Sequence, residues 1–267
     1  MGLLGAALGA APRPAAAAQG DPLRVWSCGG LAEAFMPANA NYEKKTGTQV
    51  AYTGAFAAAL GKSLLGSATT DVFAGRVLGL AKKLRKAGKM AYFVPLCFTS
   101  YVVVTPKGNP AGIKGIEDLA RDGVRVIQAP EASPPGGQAV TVLYKKAGIL
   151  PQVHKNTIIA GTCVQRSLEE LIQGKGDAAV VELRLTRMPL FKDKAEIIPI
   201  PAKFFPPPPL TFTVGVMNSA ADRDKADRFV RYITSPEGQA YFEQIGFIPA
   251  ISPKGQELVK KLGVHDA

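Results

Sequence analysis

Two short segments far apart in the chain each carry a cysteine and have the residue types of a small-ligand site. Residues 26–31 read Trp-Ser-Cys-Gly-Gly-Leu, between a predicted strand and a predicted helix, and residues 161–165 read Gly-Thr-Cys-Val-Gln. Glycines at a strand-to-helix turn leave backbone N–H groups free at the positive end of a helix, and such ends bind anions. The pattern therefore indicates a receptor for a small anion, with an ordinary tight turn as the alternative. Gly29 and Gly30 offer the amides, and Ser27 and Cys28 precede them.

No catalytic motif accompanies these residues. The sequence lacks Gly-x-Ser-x-Gly, a P-loop and His-Glu-x-x-His. A nucleophilic Cys28 would need a neighbouring base, and His154 lies in a segment predicted to be an exposed turn, which also argues against a histidine metal site. We therefore expect neither an enzyme nor a resident cofactor.

The charge balance favours anionic ligands. The chain has 32 Lys+Arg against 21 Asp+Glu, a formal charge of +11, and such a surplus speeds the capture of anions. Nucleic acid is not expected as a partner, because the basic residues form no long run and the aromatic residues, 7% of the chain, do not interleave with them.

The first twenty residues resemble an export signal. Residues 1–20 are rich in Ala and Gly, contain no acidic residue and end in an Ala-x-Ala-like pattern at residues 16–18. The basic leader of such signals is missing, so the alternatives are a signal remnant or a disordered tail. Nothing later reaches the roughly 18 apolar residues of a membrane span. We therefore expect an exported chain in the periplasm or another extracytoplasmic space.

The remainder alternates between strand-like and helix-like segments, which predicts an α/β fold. Breaks near residues 105–110 and 201–209 are predicted to be two crossings between lobes, and the alternative is one continuous sheet with two loops. The expected division is 21–104 plus 210–267 for lobe I and 105–209 for lobe II, with hinge closure on a ligand between them. The predicted strands include 23–26, 50–53, 71–74, 101–105, 124–128, 178–182 and 210–216.

The order of these segments resembles one known family over residues 23–248. The matching segments are 25–31, 55–64, 68–74, 100–107, 130–136 and 235–247. Together they resemble the periplasmic molybdate/tungstate-binding proteins within the type II extracellular solute-binding fold. The resemblance implies two α/β lobes with a central cleft, a small inorganic oxyanion as ligand, and delivery by a monomer to the membrane permease of an ABC importer. A ligand-sensing module of the same fold is the alternative of another class.

The resemblance also implies a donor set that this chain alters. The family holds its oxyanion with two serines, with amides of the loop at 130–136 and near Val164, and with a tyrosine from the strand at 178–182. Here Gly30 stands at the first serine, Ala57 or Ala58 at the second, and Glu182 at the tyrosine. Losing hydroxyl donors weakens oxyanion binding. A carboxylate repels a dianion unless it is protonated, is paired with Arg76 or Arg184, or binds the oxyanion's metal centre directly.

A second ligand class follows from the two cysteines that the resemblance brings to the cleft. Cys28, Cys163 and Glu182 could bind a soft metal or a thiophilic species such as trivalent arsenic. The two thiols could instead form a disulfide, or both could be small apolar fillers.

Three further residues complete the candidate site. Arg76 follows a predicted strand at its carboxyl end, where ligands of open α/β sheets bind, or it is a solvated surface residue. Ser133 and the amides of residues 136–137 are candidate donors. Glu131 is a candidate contact or a cap for the following helix.

Overall fold

The computed structural model describes residues 21–132, 136–201, 203–204 and 211–266. Strands and helices alternate along most of these ranges, and no helix among them is long and apolar enough to cross a membrane. The expected signal at 1–20 lies outside the described residues.

The strands are β1 (Leu23–Cys28), β2 (Val50–Ala55), β3 (Val72–Arg76), β4 (Met90–Phe98), β5 (Tyr101–Pro106), β6 (Val126–Gln128), β7 (Thr157–Ala160), β8 (Ala179–Glu182), β9 (Ala195–Pro199), β10 (Thr211–Met217) and β11 (Ile248–Pro249). The helices are α1 (Ala32–Thr46), α2 (Ala57–Leu65), α3 (Leu78–Lys86), α4 (Gly136–Lys146), α5 (Leu150–Asn156), α6 (Val164–Ile172), α7 (Leu183–Thr186), α8 (Arg223–Thr234), α9 (Pro236–Gln244) and α10 (Pro253–Leu262), with 3₁₀ turns at Gly29–Leu31 and Ile116–Ala120.

The first lobe is built on a six-stranded sheet in the order β11-β4-β10-β3-β1-β2. Successive side chains of a strand point to opposite faces. Val72 and Ala74 accordingly join the core under α1, α8 and α9, while Phe73 between them joins the core under α2 and α3. Strands β1 and β3 are parallel, with Ser27 beside Ala74. Their carboxyl ends therefore meet at one edge, which brings Arg76 to the turn after Cys28.

The second lobe is built on β8-β5-β9, with the β6–β7 pair joined to it by a bridge between Val126 and Ala178. Strand β5 is central and antiparallel to both neighbours, and Tyr101 pairs with Glu182. Val103 packs in the core that includes α4 and α5, and Val104 packs in the core that includes α6. The register places the end of β8 at the beginning of β5, beside the crossing from the first lobe.

The chain changes sheets earlier than the sequence predicted. Strand β4 belongs to the first sheet and β5 to the second, so the crossing is at Thr99–Ser100. The expected boundary after residue 104 falls inside β5, because the Pro- and Gly-rich segment at 106–110 ends that strand instead of marking the crossing. The chain is back in the first sheet at Thr211, the start of β10; the proline segment at 206–209 lies outside the described residues.

Gly215 of β10 is predicted to be intolerant of even one methyl group. A Cβ there would lie 2.2 Å from the Tyr92 carbonyl oxygen of the adjacent β4. We expect Gly215→Ala to lower the free energy of unfolding by about 3 kcal/mol in urea denaturation. Gly79→Ala is the control: its Cβ would meet nothing closer than 3.9 Å, and alanine favours the helix by up to about 1 kcal/mol. Equal stability of the two variants would contradict the packing described for β10.

Candidate functional site

A cavity of about 240 Å³ lies where the two lobes face each other. The first lobe contributes Arg76, the last residue of β3, and the second lobe contributes the end of β8 and the beginnings of α4 and α6. Carboxyl ends of strands and amino ends of helices thus meet at one place, which suits a small anion. The lining residues are Arg76, Ala132, Gly136, Thr162, Cys163, Val164, Gln165, Glu182, Arg184 and Leu185.

Glu182 is the buried centre of this cavity wall and is bonded by two arginines. Arg76 Nη2 donates to Glu182 Oε1 at 2.5 Å, and Arg184 Nε donates to Oε2 at 2.6 Å. The Tyr101 hydroxyl donates to Oε1 at 3.3 Å. Because Arg76 belongs to the first lobe and Glu182 to the second, the first of these bonds joins the lobes. Pairing with Arg76 or Arg184 was one of the expected ways for an anion site to tolerate a carboxylate, and Glu182 is paired with both.

The arginine charges keep Glu182 ionised. Burial alone would raise its pKa, but the charges and hydrogen bonds of Arg76 and Arg184 outweigh burial and lower the pKa to about 2. Burial would lower the pKa of Arg76, and Glu182 raises it overall. Two guanidiniums and one carboxylate leave a net positive charge at the cavity. Glu33, with Oε1 3.8 Å from Arg184 Nη1, formally balances that charge but is not among the lining residues.

The three cysteines are free, so Cys28 and Cys163 do not form the disulfide that was one alternative. Cys28 is buried and burial raises its pKa, whereas Cys163 is exposed at the cavity as the N-cap of α6. Both carboxylate oxygens of Glu182 are bonded to arginines. Among the described residues no group of three His, Cys, Asp or Glu side chains could hold a metal ion. The arrangement therefore lends no support to Cys28, Cys163 and Glu182 as a metal site, and that set stays a prediction. Cys97 is fully buried in β4.

The turn at residues 27–30, the first of the two cysteine-bearing segments, is not among the residues that line the cavity. Ser27 is buried, and its hydroxyl shares a hydrogen bond of 2.5 Å with the Tyr52 hydroxyl. A Cβ on Gly29 would lie 3.6 Å from the Ala55 carbonyl oxygen, and one on Gly30 would lie 3.6 Å from Arg184 Nη2. The Arg184 guanidinium thus lies in ordinary contact distance of Gly30, the position at which the resemblance implies a serine.

Several other expected contacts also lie away from the cavity lining. Ala57 and Ala58 form the first turn of α2, with Ala58 exposed. Glu131 is exposed, and Ser133 lies outside the described residues. His154 is exposed, as predicted, although it lies in α5 and not in a turn. Of the predicted site residues, the structure brings Arg76, Cys163, Val164 and Glu182 together at the cavity.

Sequence reasoning missed the contributions of Arg184, Tyr101 and Gln165. Arg184 was considered only as a partner for Glu182, yet it lines the cavity itself. Tyr101 reaches Glu182 because the two residues are opposite each other in the β5–β8 register. The spacing of Glu182 and Arg184 was visible in the sequence, whereas the Tyr101 contact depends on a pairing that the sequence does not specify.

Thiol accessibility tests the position of the cysteines. We expect one thiol, Cys163, to react quickly with Ellman's reagent in the folded, reduced protein, because Cys28 and Cys97 are buried. All three should react in guanidinium chloride. Cys163→Ser should remove the fast phase. Two fast thiols in the native protein, or a fast phase that persists in Cys163→Ser, would contradict the described burial.

Comparisons with known proteins agree with this architecture. A family model described as bacterial extracellular solute-binding protein matches residues 23–248. The molybdate-binding protein ModA of Mycobacterium tuberculosis is 26% identical over 247 residues, 89% of this chain and 88% of that protein. The sulfate-binding protein of Synechococcus elongatus is 26% identical over 245 residues, 81% of this chain and 68% of that protein.

Solved structures show the same fold at low sequence identity. The substrate-binding domain of a putative molybdenum ABC transporter from Clostridium difficile has a TM-score of 0.75 at 19% identity and covers 85% of this chain and 98% of its own. The periplasmic molybdate-binding protein of Azotobacter vinelandii has a TM-score of 0.66 at 18% identity, with the same coverage. Iron-bound HitA from Pseudomonas aeruginosa has a TM-score of 0.64 at 16% identity, with 82% and 83% covered. The predicted two-lobed α/β fold is confirmed, and these relatives are binding proteins, not enzymes.

Proposed function

The chain belongs to the bacterial extracellular solute-binding protein family, and from that premise we propose that it captures a small inorganic oxyanion between its lobes and delivers it to the permease of an ABC importer. The observation that carries this proposal is the buried group of Arg76, Glu182 and Arg184 at the interlobe cavity. Guanidinium groups bind oxyanions through charge-assisted hydrogen bonds in a fixed planar geometry. Within the cavity lining, two arginines against one carboxylate present the sign of charge that an anion requires.

Molybdate and tungstate are the first candidates, and sulfate is the next. Molybdate and sulfate are suggested by two relatives of equal sequence identity, a molybdate-binding and a sulfate-binding protein. All three anions are tetrahedral, so a guanidinium edge can meet two oxygens of any of them. The arginines here would replace hydroxyl donors that the resemblance leads one to expect at Gly30 and Glu182.

Backbone amides complete the proposed donor set. Helix α6 begins at Val164 and α4 at Gly136, and both residues line the cavity. Free N–H groups in the first turn of a helix, with the positive end of the helix dipole, stabilise a bound anion. The Gln165 side chain at the same helix start is a further neutral donor.

In the proposed transport cycle the lobes close on the anion. The hinge would include the crossing at Thr99–Ser100, between β4 of the first sheet and β5 of the second. Closure requires contacts with both lobes at once, and Arg76 from one lobe with Arg184 from the other meets that requirement. The closed monomer would then dock on the permease outside the cytoplasmic membrane.

Calorimetric titration tests the proposal. Reduced protein, unfolded and refolded once to remove co-purified ligand, is titrated with sodium molybdate, tungstate and sulfate, and with sodium chloride at matched ionic strength as control. We expect heat and a stoichiometry of one site for at least one oxyanion. Cys28→Ser and Cys163→Ser should retain this binding, since the cysteines are not its donors. Absence of heat with all three oxyanions would overturn the proposal, and loss of binding in the serine variants would point to a thiophilic ligand.

A further inference from the structure

The hydrogen-bonding edge of Arg76 is only half occupied. In this chain, Arg24 bonds Asp71 side-on, with Nε to Oδ2 at 3.2 Å and Nη2 to Oδ1 at 2.7 Å. Arg125 bonds Asp177 in the same way, at 3.3 and 2.8 Å. Arg76 uses Nη2 for Glu182, but its Nε, on the same edge, is buried and has no hydrogen-bond partner among the described residues.

Glu182 does not accept hydrogen bonds from both Nε and Nη2 of Arg76, because its two carboxylate oxygens are divided between two arginines. Its Oε1 faces Arg76 and its Oε2 faces Arg184. A carboxylate bonded end-on by two arginines gives each of them one oxygen, whereas a side-on pair gives one arginine both oxygens. The buried Nε of Arg76 therefore lacks the second oxygen that Asp71 and Asp177 supply to their partners. A buried donor without a partner is unfavourable, so an oxygen-bearing ligand that reaches it gains that bond.

We propose that Glu182 is an internal competitor for the ligand: its carboxylate occupies half of the Arg76 edge in the empty cleft and yields that position to an oxyanion that fills both Nε and Nη2. This inference rests on the proposed oxyanion capture and identifies the residue that limits its affinity. The carboxylate remains beside the bound anion, bonded to Arg184, and repels it. Repulsion grows with ligand charge, so Glu182 disfavours dianions more than monoanions.

The test is calorimetric titration of Glu182→Gln with molybdate, tungstate and sulfate beside the wild-type protein. The glutamine carbonyl oxygen still accepts a hydrogen bond from Arg184, while its neutral amide no longer competes for Arg76. We expect the oxyanion to bind at least about tenfold more tightly, because one charge-assisted hydrogen bond changes an equilibrium constant by at least that factor. Asp177→Asn is the matched control, since it removes one carboxylate charge from the exposed Arg125 pair and should leave affinity unchanged.

Two outcomes distinguish a failure of internal competition from a failure of oxyanion capture. Equal or weaker binding by Glu182→Gln, with wild-type binding intact, would overturn internal competition and leave oxyanion capture standing. Absence of binding by both proteins would overturn both. Should Glu182→Gln fail to fold, Glu182→Asp serves in its place. Its shorter side chain keeps the charge but withdraws from Arg76, so it should also tighten binding, and unchanged affinity in that variant would contradict the proposal.

Discussion

Arg76→Ala is expected to weaken oxyanion binding by at least about a hundredfold. The variant loses two charge-assisted hydrogen bonds, each worth about 1.5–3 kcal/mol, and it leaves the repulsive Glu182 with one arginine fewer. Arg76 is also the charged residue that the first lobe contributes to the cavity lining. Without it, the attraction between the first lobe and the bound anion would no longer favour lobe closure. Calorimetry with the oxyanion that binds the wild-type protein most tightly measures the effect.

Two further variants separate recognition from folding in this experiment. Arg76→Lys keeps the charge but lacks the planar edge, so we expect an affinity between those of the wild type and Arg76→Ala. Arg125→Ala removes an arginine from an exposed pair with Asp177 and should bind normally. Thermal unfolding of each variant checks that the fold persists. Wild-type affinity in a folded Arg76→Ala protein would exclude Arg76 from the site.

Acid is expected to destabilise the wild-type protein more than Glu182→Gln. The pKa of Glu182 is lowered to about 2 from 4.5. A lowered carboxyl pKa contributes stability that is fully present above the unfolded value, near 4.5, and is lost as pH falls through the folded value. Between pH 5 and pH 2 the wild-type protein should therefore lose about 3 kcal/mol more unfolding free energy than Glu182→Gln.

Urea denaturation of both proteins at intervals over that pH range tests this linkage. Asp71 and Asp177 also have lowered pKa values, because hydrogen bonds from Arg24 and Arg125 outweigh their burial. These two carboxyls add the same acid sensitivity to both proteins, so only the difference between the two curves reports on Glu182. Parallel curves would mean that Glu182 is not held ionised by its arginines.

The alternation of strands and helices allowed the α/β class to be predicted, and the family resemblance implied the two lobes, whereas the Pro- and Gly-rich break at 106–110 did not mark the crossing. Strand β4 escaped prediction because Pro95 interrupts an apolar run, and proline argues against a central strand. The structure accommodates Pro95 at an irregularity in the pairing: Phe212 faces Cys97 and Thr213 faces Pro95, so Leu96 is the extra residue. A bulge of this kind depends on the partner strand and leaves no local pattern.

The candidate site was predictable only in part. Arg76 was found because it follows a buried strand, and Glu182 because it departs from the expected tyrosine. Their ion pair depends on how two lobes face each other, which strand patterns do not specify. Cys28 and Cys163 looked equivalent in the sequence, but β1 buries the first while the second is an exposed helix cap. The difference arises from tertiary packing around Cys28, and residue type alone could not reveal it.

Oxyanion capture between the lobes is tested most directly by a crystal structure of the protein grown with tungstate, with the tungsten atom located by its anomalous scattering. Oxyanion capture between the lobes predicts one tungsten atom at the interlobe cavity, with its oxygens within hydrogen-bonding distance of the Arg76 and Arg184 guanidiniums. A tungsten atom bound away from both arginines, or an empty cavity at saturating tungstate, would contradict the account.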